Sequence, residues 1–176
     1  MMRFLRLLAP RFVTASAVEL SPGVLRAWAI DALLLDLDNT LVGWGDGESP
    51  PEVRRWIDDL RRAGIPACIV SNNFSGRVRA VAAALDLPAV PGRPKPSVDK
   101  LQRALVLLGT RPERTAIVGD QIFTDILAGN RLGVPTVLTR PLYQEEPARI
   151  RLLRRLEQWV LAYLSSRGLV SRAPGD

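Results

Sequence analysis

The sequence predicts an open α/β sheet, mostly parallel, with helices covering both faces. Three observations carry that reading. Apolar runs of strand length recur through the middle of the chain, at 32–35 (ALLL), 66–70 (PACIV), 115–118 (TAIV) and 135–138. Between them lie stretches whose apolar residues repeat at helical spacing. The connections are short, with no internal repeat and no low-complexity linker, as strand–helix–strand units feeding one sheet require.

Taken in order, the N-terminus (MMRFLRLLAPRF) puts Met1, Phe4, Leu5 and Leu8 on one helical face, with Arg3 and Arg6 away from it. Its apolar stretch is broken by Arg6 and Pro10 and meets no small-residue cleavage site, so it does not read as a signal peptide. A short interfacial anchor and a helix docked on its own domain both fit it. The run 32–35 is too short for a buried helix and ends in Asp36. Residues 51–63 form a helix with Pro51 in the first turn, Val53, Trp56, Ile57 and Leu60 on one stripe, and Gly64 after the end. The strand 66–70 carries Cys68 as a packing residue. Val78, Val81, Ala82 and Leu85 mark a second helix, and Ala89-Val90 leads into a Pro-rich turn. A third helix over 98–108 stops at Gly109. Strand 115–118, helix 122–132 and strand 135–138 follow. A long helix over 145–165 has four arginines in its first half. The expected organisation is a basic N-terminal segment (1–30), a core (31–139) and a basic C-terminal helix on or beyond the core (140–176).

Composition restricts the chemistry. The 176 residues include no histidine and one cysteine. That excludes a Ser-His-Asp triad, a histidine general base, an intrachain disulfide and a zinc site built on His or several Cys. Carboxylates, lysine, arginine, hydroxyls, one thiol or a hard metal remain. The net charge of +6 comes from 22 Arg and 2 Lys against 18 acids. It sits at the ends: residues 1–30 and 140–176 carry +3 each, whereas 31–139 is neutral. A neutral middle without a basic, aromatic-bearing face argues against nucleic acid as a partner. No apolar stretch reaches the roughly 18 residues of a membrane-spanning helix.

In sheets of this kind, ligands gather at the carboxyl ends of the strands. The first strand runs into Asp36-Leu37-Asp38-Asn39-Thr40. Asp36 and Asp38 project to the same side, and two neighbouring carboxylates repel unless a cation or a shared proton relieves them; Mg2+, with its preference for oxygen, fits. The second ends in Ser71-Asn72-Asn73, small polar groups suited to a phosphate. In Arg93-Pro94-Lys95-Pro96 a lysine stands between two prolines, placed to neutralise a phosphate. The next strand ends in Gly119-Asp120, with Asp125 five residues on. Each piece alone is common; four in this order are not.

The order DLDNT, SNN, KP, GDQIFTD resembles the four motifs of the haloacid dehalogenase-like (HAD) phosphatases over residues 31–139. The resemblance implies a Rossmann-like HAD fold and an aspartyl-phosphate mechanism. Asp36 would be the nucleophile and Asp38 the general acid and base. Ser71, Asn72 and Lys95 would hold the phosphate. Asp36, Asp38 (through its carbonyl) and Asp120 would hold Mg2+, with Thr40 and Asp125 in support. A receiver-like signalling module uses similar residues, but there an acidic pair ends the first strand and the phosphoacceptor comes later; here Asp36-x-Asp38 opens the series.

Only 34 residues separate Asp36 from Ser71 and 23 separate Ser71 from Lys95. That leaves little room for a cap, so the site should be uncapped and open, with the 42–49 flap as its only lid and Trp44 a candidate substrate contact. The flanks and the LDLDNTLVGW segment are similar to the small capless YqeG family, of subclass IIIA, and to phosphatidylglycerophosphate phosphatases. Pro94 departs from the small or basic residue such relatives often carry before the lysine. The similarity implies a phosphomonoester substrate on an anionic lipid, and a cytoplasmic enzyme touching the inner face of a membrane through residues 1–12. A soluble sugar phosphate, nucleotide or phosphoglycolate is the alternative substrate class.

Overall fold

The computed structural model describes residues 2–44, 47–73, 75–143 and 148–170, with the backbone alone for residues 2–4, 148 and 149. Five strands form one sheet: β1 (Phe12–Thr14), β2 (Ala32–Leu35), β3 (Ala67–Ile69), β4 (Thr115–Gly119) and β5 (Thr136–Thr139). Their order is β1-β5-β4-β2-β3 and every pairing is parallel. Leu34 of β2 lies opposite Cys68 on one side and Ile117 on the other. The helices are α1 (Met2–Leu7), α2 (Pro22–Ala27), α3 (Pro51–Arg62), α4 (Gly76–Ala84), α5 (Asp99–Leu108), α6 (Leu127–Leu132) and α7 (Ala148–Ser166).

Alternation along the strands divides the core between two faces. Leu33, Leu35, Ala67, Ile69, Ala116 and Val118 pack with Val53, Trp56, Ile57 and Leu60 of α3 and with Val78 and Val81 of α4. Leu34, Cys68 and Ile117 point the other way, onto Leu101, Ala104 and Leu105 of α5. The Cys68 thiol is buried and pushed up to about 12 by that burial, which fits packing rather than reactivity. The buried Trp56 indole N–H is satisfied, donating to the Leu20 carbonyl at 2.9 Å. Gly109, in the left-handed region at φ +62°, ends α5.

Three features differ from the sequence reading. Strand β1 is absent from it: three residues, mostly half-buried, give no periodic signal, yet Phe12, Val13 and Thr14 pair with Val137, Leu138 and Thr139. Helix α2 was also not anticipated; Ser21 caps it, its hydroxyl accepting from the Val24 N–H at 3.3 Å, with Pro22 following. The expected 122–132 helix opens as a π-helical turn, Ile122–Ile126, before α6. The expected start of the last helix at Glu145 lies outside the described residues.

The N-terminal segment docks on its own domain. Leu5, Leu7, Leu8 and Ala9 pack with Ile122, Ile126, Leu127, Leu138 and Leu164. The Asn130 amide donates to the Leu7 and Ala9 carbonyls, each at 2.9 Å. The side chains of Met1 and Phe4, expected on the apolar face, lie outside the described residues. No helix among the described residues is long and apolar enough to cross a membrane.

Leu34 sits fully buried at the centre of the sheet. Leu34→Ala should therefore lower the unfolding free energy by about 2–5 kcal/mol, read as a shift in denaturant midpoint at unchanged slope.

Candidate active site

The site forms where β2 and β4 end. The Asp36 N–H donates to the Val118 carbonyl at 2.9 Å, so the sheet still holds the backbone one residue past β2 and fixes where the carboxylate leaves. Asp120 follows β4 directly. Asp125 is brought back by the π-helical turn, in which the Asp125 and Ile126 N–H groups both donate to the Gln121 carbonyl, at 3.0 and 3.3 Å. Its carboxylate then lies over Gly119, accepting from the Gln121 N–H at 3.2 Å. A Cβ on residue 119 would stand 2.3 Å from the Asp125 carboxyl carbon, so glycine is required there for the two segments to meet. Asp36, Asp120 and Asp125 are all buried, and each offers an oxygen within 4.8 Å of the others.

Two cations compensate them. Lys95, 3% exposed, places Nζ 2.5 Å from Asp36 Oδ1 and 2.6 Å from Asp125 Oδ1. Asn72 holds the lysine's backbone from both sides: the Lys95 N–H donates to Asn72 Oδ1 at 2.7 Å, and Asn72 Nδ2 donates to the Lys95 carbonyl at 3.1 Å. Arg154, from α7, grips Asp120 twice, Nη2 donating to Oδ2 at 2.6 Å and Nη1 to the main-chain carbonyl at 3.0 Å. The second lysine, Lys100, is fully buried and donates to the Ser71 carbonyl. Burial and then Lys95 nearby push its pKa down.

Three clustered carboxylates against two cations remain under-compensated. Burial raises Asp36 to about 7, with Asp125 and Asp38 adding and Lys95 opposing. Asp120 is raised for the same reasons, burial first and then Asp36 and Asp125, against the pull of Arg154. For Lys95, burial alone would lower the pKa; Asp125 and Asp36 outweigh it and hold the ammonium charged. Asp120 Oδ1 is buried without a hydrogen-bond partner among the described residues. An orphaned carboxylate oxygen beside two more hard oxygen donors fits a divalent cation held by Asp36, Asp120 and Asp125.

The structure thus gathers Asp36, Lys95, Asp120 and Asp125, four of the residues expected from sequence. Lys95 reaches the carboxylates with Pro94 before it. Asp38 sends its carboxylate to Arg77 rather than into the three-carboxylate cluster. Asn72 has both ends of its side-chain amide on the Lys95 backbone. Ser71 is buried, its hydroxyl accepting from the Asn73 N–H at 3.2 Å. Thr40 is buried and its hydroxyl has no partner among the described residues. It lies in a loop whose Asn39 has φ +61° and an N–H donated to the Val42 carbonyl at 2.7 Å. Trp44 is half-buried beside this loop; Gly45 and Asp46 of the 42–49 flap lie outside the described residues.

Sequence reasoning missed Arg77, Lys100, Arg154 and Glu157. Lys100 carried a signal in its rarity, since both lysines of the chain are buried here. Nothing marks Arg154 among the arginines of its helix. Glu157, one turn on, accepts from the Phe123 N–H at 3.0 Å; burial raises it to about 7, against that hydrogen bond and Arg154.

Residues 43–133 match the family model described as haloacid dehalogenase-like hydrolase. The chain is 32% identical over 150 residues to the Bacillus subtilis protein named "Probable phosphatase YqeG", covering 85% of this chain and 87% of that one. It is 30% identical over 156 residues to phosphatidylglycerophosphate phosphatase 1, chloroplastic/mitochondrial, of Arabidopsis thaliana, covering 83% of this chain but only 45% of the plant protein. Among solved structures, cobalt-bound deoxy-D-mannose-octulosonate 8-phosphate phosphatase from Haemophilus influenzae shares the fold at TM-score 0.51 and 17% identity, covering 79% of this chain and 90% of its own. A HAD family hydrolase from Deinococcus radiodurans with bound phosphate and sodium does so at TM-score 0.50 and 21% identity, over 82% and 99%.

Gly119→Ala should displace Asp125 and cut phosphatase turnover by roughly 100-fold, as an ångström-scale misplacement at a reacting centre does. A p-nitrophenyl phosphate assay checks this. Glu157 yields a pH effect with a defined sign. Between its ordinary 4.5 and about 7, the unfolded chain releases a proton that the folded chain keeps, so stability falls as pH rises through that window. Glu157→Gln, which mimics the protonated form, should raise the melting temperature relative to wild type at pH 8 and leave it unchanged at pH 4.5.

Proposed function

The chain belongs to the haloacid dehalogenase-like hydrolase family and is a phosphatase, and from that premise we propose that it dephosphorylates an anionic lipid, phosphatidylglycerophosphate, with Mg2+ and through an aspartyl-phosphate. The observation that carries the mechanism is the buried cluster of Asp36, Asp120 and Asp125 around the Lys95 ammonium.

Asp36 attacks phosphorus in line with the ester oxygen. A bond forms between its carboxylate oxygen and phosphorus as the bond to the leaving alcohol breaks. Asp38 gives its proton to that alcohol, then takes one from the water that attacks phosphorus and frees Asp36. Arg77 sets the direction in which Asp38 points. Lys95 offsets the repulsion between the entering carboxylate and the phosphate dianion. When bound, Mg2+ would add charge neutralisation at the non-bridging oxygens. Ser71, whose hydroxyl can still donate, and the Asn72 main-chain N–H are left to hold the phosphate, because the Asn72 side chain is committed to Lys95 and the Asn73 N–H to Ser71.

Two observations support a lipid substrate. The relative that acts on phosphatidylglycerophosphate is 30% identical over 83% of this chain. The outer face of α7 exposes an apolar stripe at helical spacing, Leu152 (70% exposed), Leu156, Trp159 (79%) and Tyr163, flanked by Arg151 and Arg155. The α7 residue with an acidic side chain, Glu157, is buried, so the exposed part of this helix is apolar and cationic, a combination complementary to an anionic bilayer. Because Leu5, Leu7 and Leu8 pack inward, we assign the membrane contact first expected of residues 1–12 chiefly to this stripe. The enzyme then works at the inner face of a membrane.

Asp36→Asn should lower Mg2+-dependent hydrolysis of p-nitrophenyl phosphate on the order of 1,000-fold or more, and undiminished turnover would refute the mechanism. In a side-by-side assay, phosphatidylglycerophosphate should outrun a panel of sugar phosphates, nucleotides and phosphoglycolate. Vesicles containing anionic lipid should sediment the protein, less so at high salt and less so after Trp159→Ala. Equal binding to neutral vesicles at any salt would remove the electrostatic part of the reading.

A further inference from the structure

Beside the carboxylate cluster, between the end of β5 and the inner side of α7, runs an open groove of about 720 Å3. Asp120 and Arg154 are among its lining residues, so it borders the candidate metal centre. Val13, Leu138 and Leu161 give it apolar walls. Arg140, Arg151 and Arg155 stand along it, exposed. Among the described residues none of these three arginines has a carboxylate partner, in contrast to Arg154, Arg77 and Arg114, which each hold one.

A further polar group belongs to the same groove. Thr139, 4% exposed, lines it, and its hydroxyl has no hydrogen-bond partner among the described residues. A buried hydroxyl left unpaired is costly unless something supplies its bond. Three exposed guanidinium groups along one groove, with no carboxylate partner among the described residues, favour an anion, most of all one with several oxygens that a planar fork can grip. The apolar walls add a place for hydrocarbon next to that charge.

We infer, resting on the lipid-phosphate reading of the substrate, that this groove is a second anion subsite. Arg140, Arg151 and Arg155 with the Thr139 hydroxyl take a phosphate that is not cleaved, while the terminal phosphate lies at Asp36. The ligand class is a bisphosphorylated amphiphile: two phosphate groups joined by a short polyol, with an apolar body beyond the inner, diester phosphate. The groove acts in selection rather than chemistry. It would distinguish such a substrate from a simple monophosphate by KM. The subsite depends on β1 and α7, elements outside the motif-bearing segment: Val13 comes from β1, and Arg151, Arg155 and Leu161 from α7.

The test compares kcat/KM on three soluble esters with the full chain: dihexanoyl phosphatidylglycerophosphate, its deacylated headgroup bearing both phosphates, and p-nitrophenyl phosphate. Wild type should prefer both bisphosphates to p-nitrophenyl phosphate, the acylated one most. The triple variant Arg140→Ala/Arg151→Ala/Arg155→Ala should reduce the preference for either bisphosphate over p-nitrophenyl phosphate at least tenfold, chiefly through KM. The corresponding triple lysine variant keeps the charge but loses the planar fork, so its preference should fall between those of wild type and the alanine variant; a lysine variant no better than alanine would mean that charge alone contributes nothing in the groove. If wild type prefers the bisphosphates and the alanine variant keeps that preference, the groove assignment fails while the lipid reading stands. Should the deacylated headgroup match the acylated ester, the apolar walls play no part and the ligand class is wrong. No preference in wild type would overturn both readings.

Discussion

The structure depends on placing three carboxylates in one buried spot. Asp36, Asp120 and Asp125 repel one another and lose hydration, a combination that would open the site if nothing opposed it. Lys95 opposes it from the centre, between two of them, and Arg154 from the side, on the third. Each of these cations is itself fixed. Asn72 clamps the lysine's backbone, and α7 carries the arginine, with Glu157 buried one turn further on. The residual negative charge is what makes the cluster a receptor for a cation instead of a closed ion-pair network.

How the fold assists is plain from the sheet. Parallel strands all deliver their carboxyl ends to one edge, and β2 and β4 are hydrogen-bonded neighbours, so Asp36 and Asp120 arrive side by side. Gly119 lets Asp125 fold back over β4 without collision. These are backbone solutions, set before any side chain chooses a rotamer.

Much of this was legible in the sequence. Short apolar runs ending in small polar or acidic residues announce buried strands whose ends carry chemistry, and Asp36, Lys95 and Asp120 were readable in that way. Asp125 was readable as a supporting carboxylate for a metal, but not its seat over Gly119 with Lys95 on it. Its position follows from a π-helical turn, which spacing on an ordinary helix does not reveal. Arg154 was not readable, because four arginines crowd the first half of its helix and only packing selects the one that turns inward. Strand β1 escaped for a different reason: three residues, mostly half-buried, have no period, and their pairing with β5 is decided by contacts over 120 residues away in sequence. The excess charge at the chain ends was visible, but not its division of labour. Arg154 turns toward Asp120, whereas Arg151 and Arg155 remain exposed.

The hold of α7 on Asp120 bears on what counts as a transplantable unit. The motifs alone suggest that residues 31–139 form a portable catalytic cassette, to be grafted or trimmed at will. Yet one of the two counter-charges to its carboxylates, and the α7 edge of the groove beside them, are supplied from outside that interval. In chimeras between relatives, strand β1, the motif-bearing core and α7 should therefore travel together. Inheritance in this lineage is expected to couple the two ends of the gene more tightly than their distance suggests.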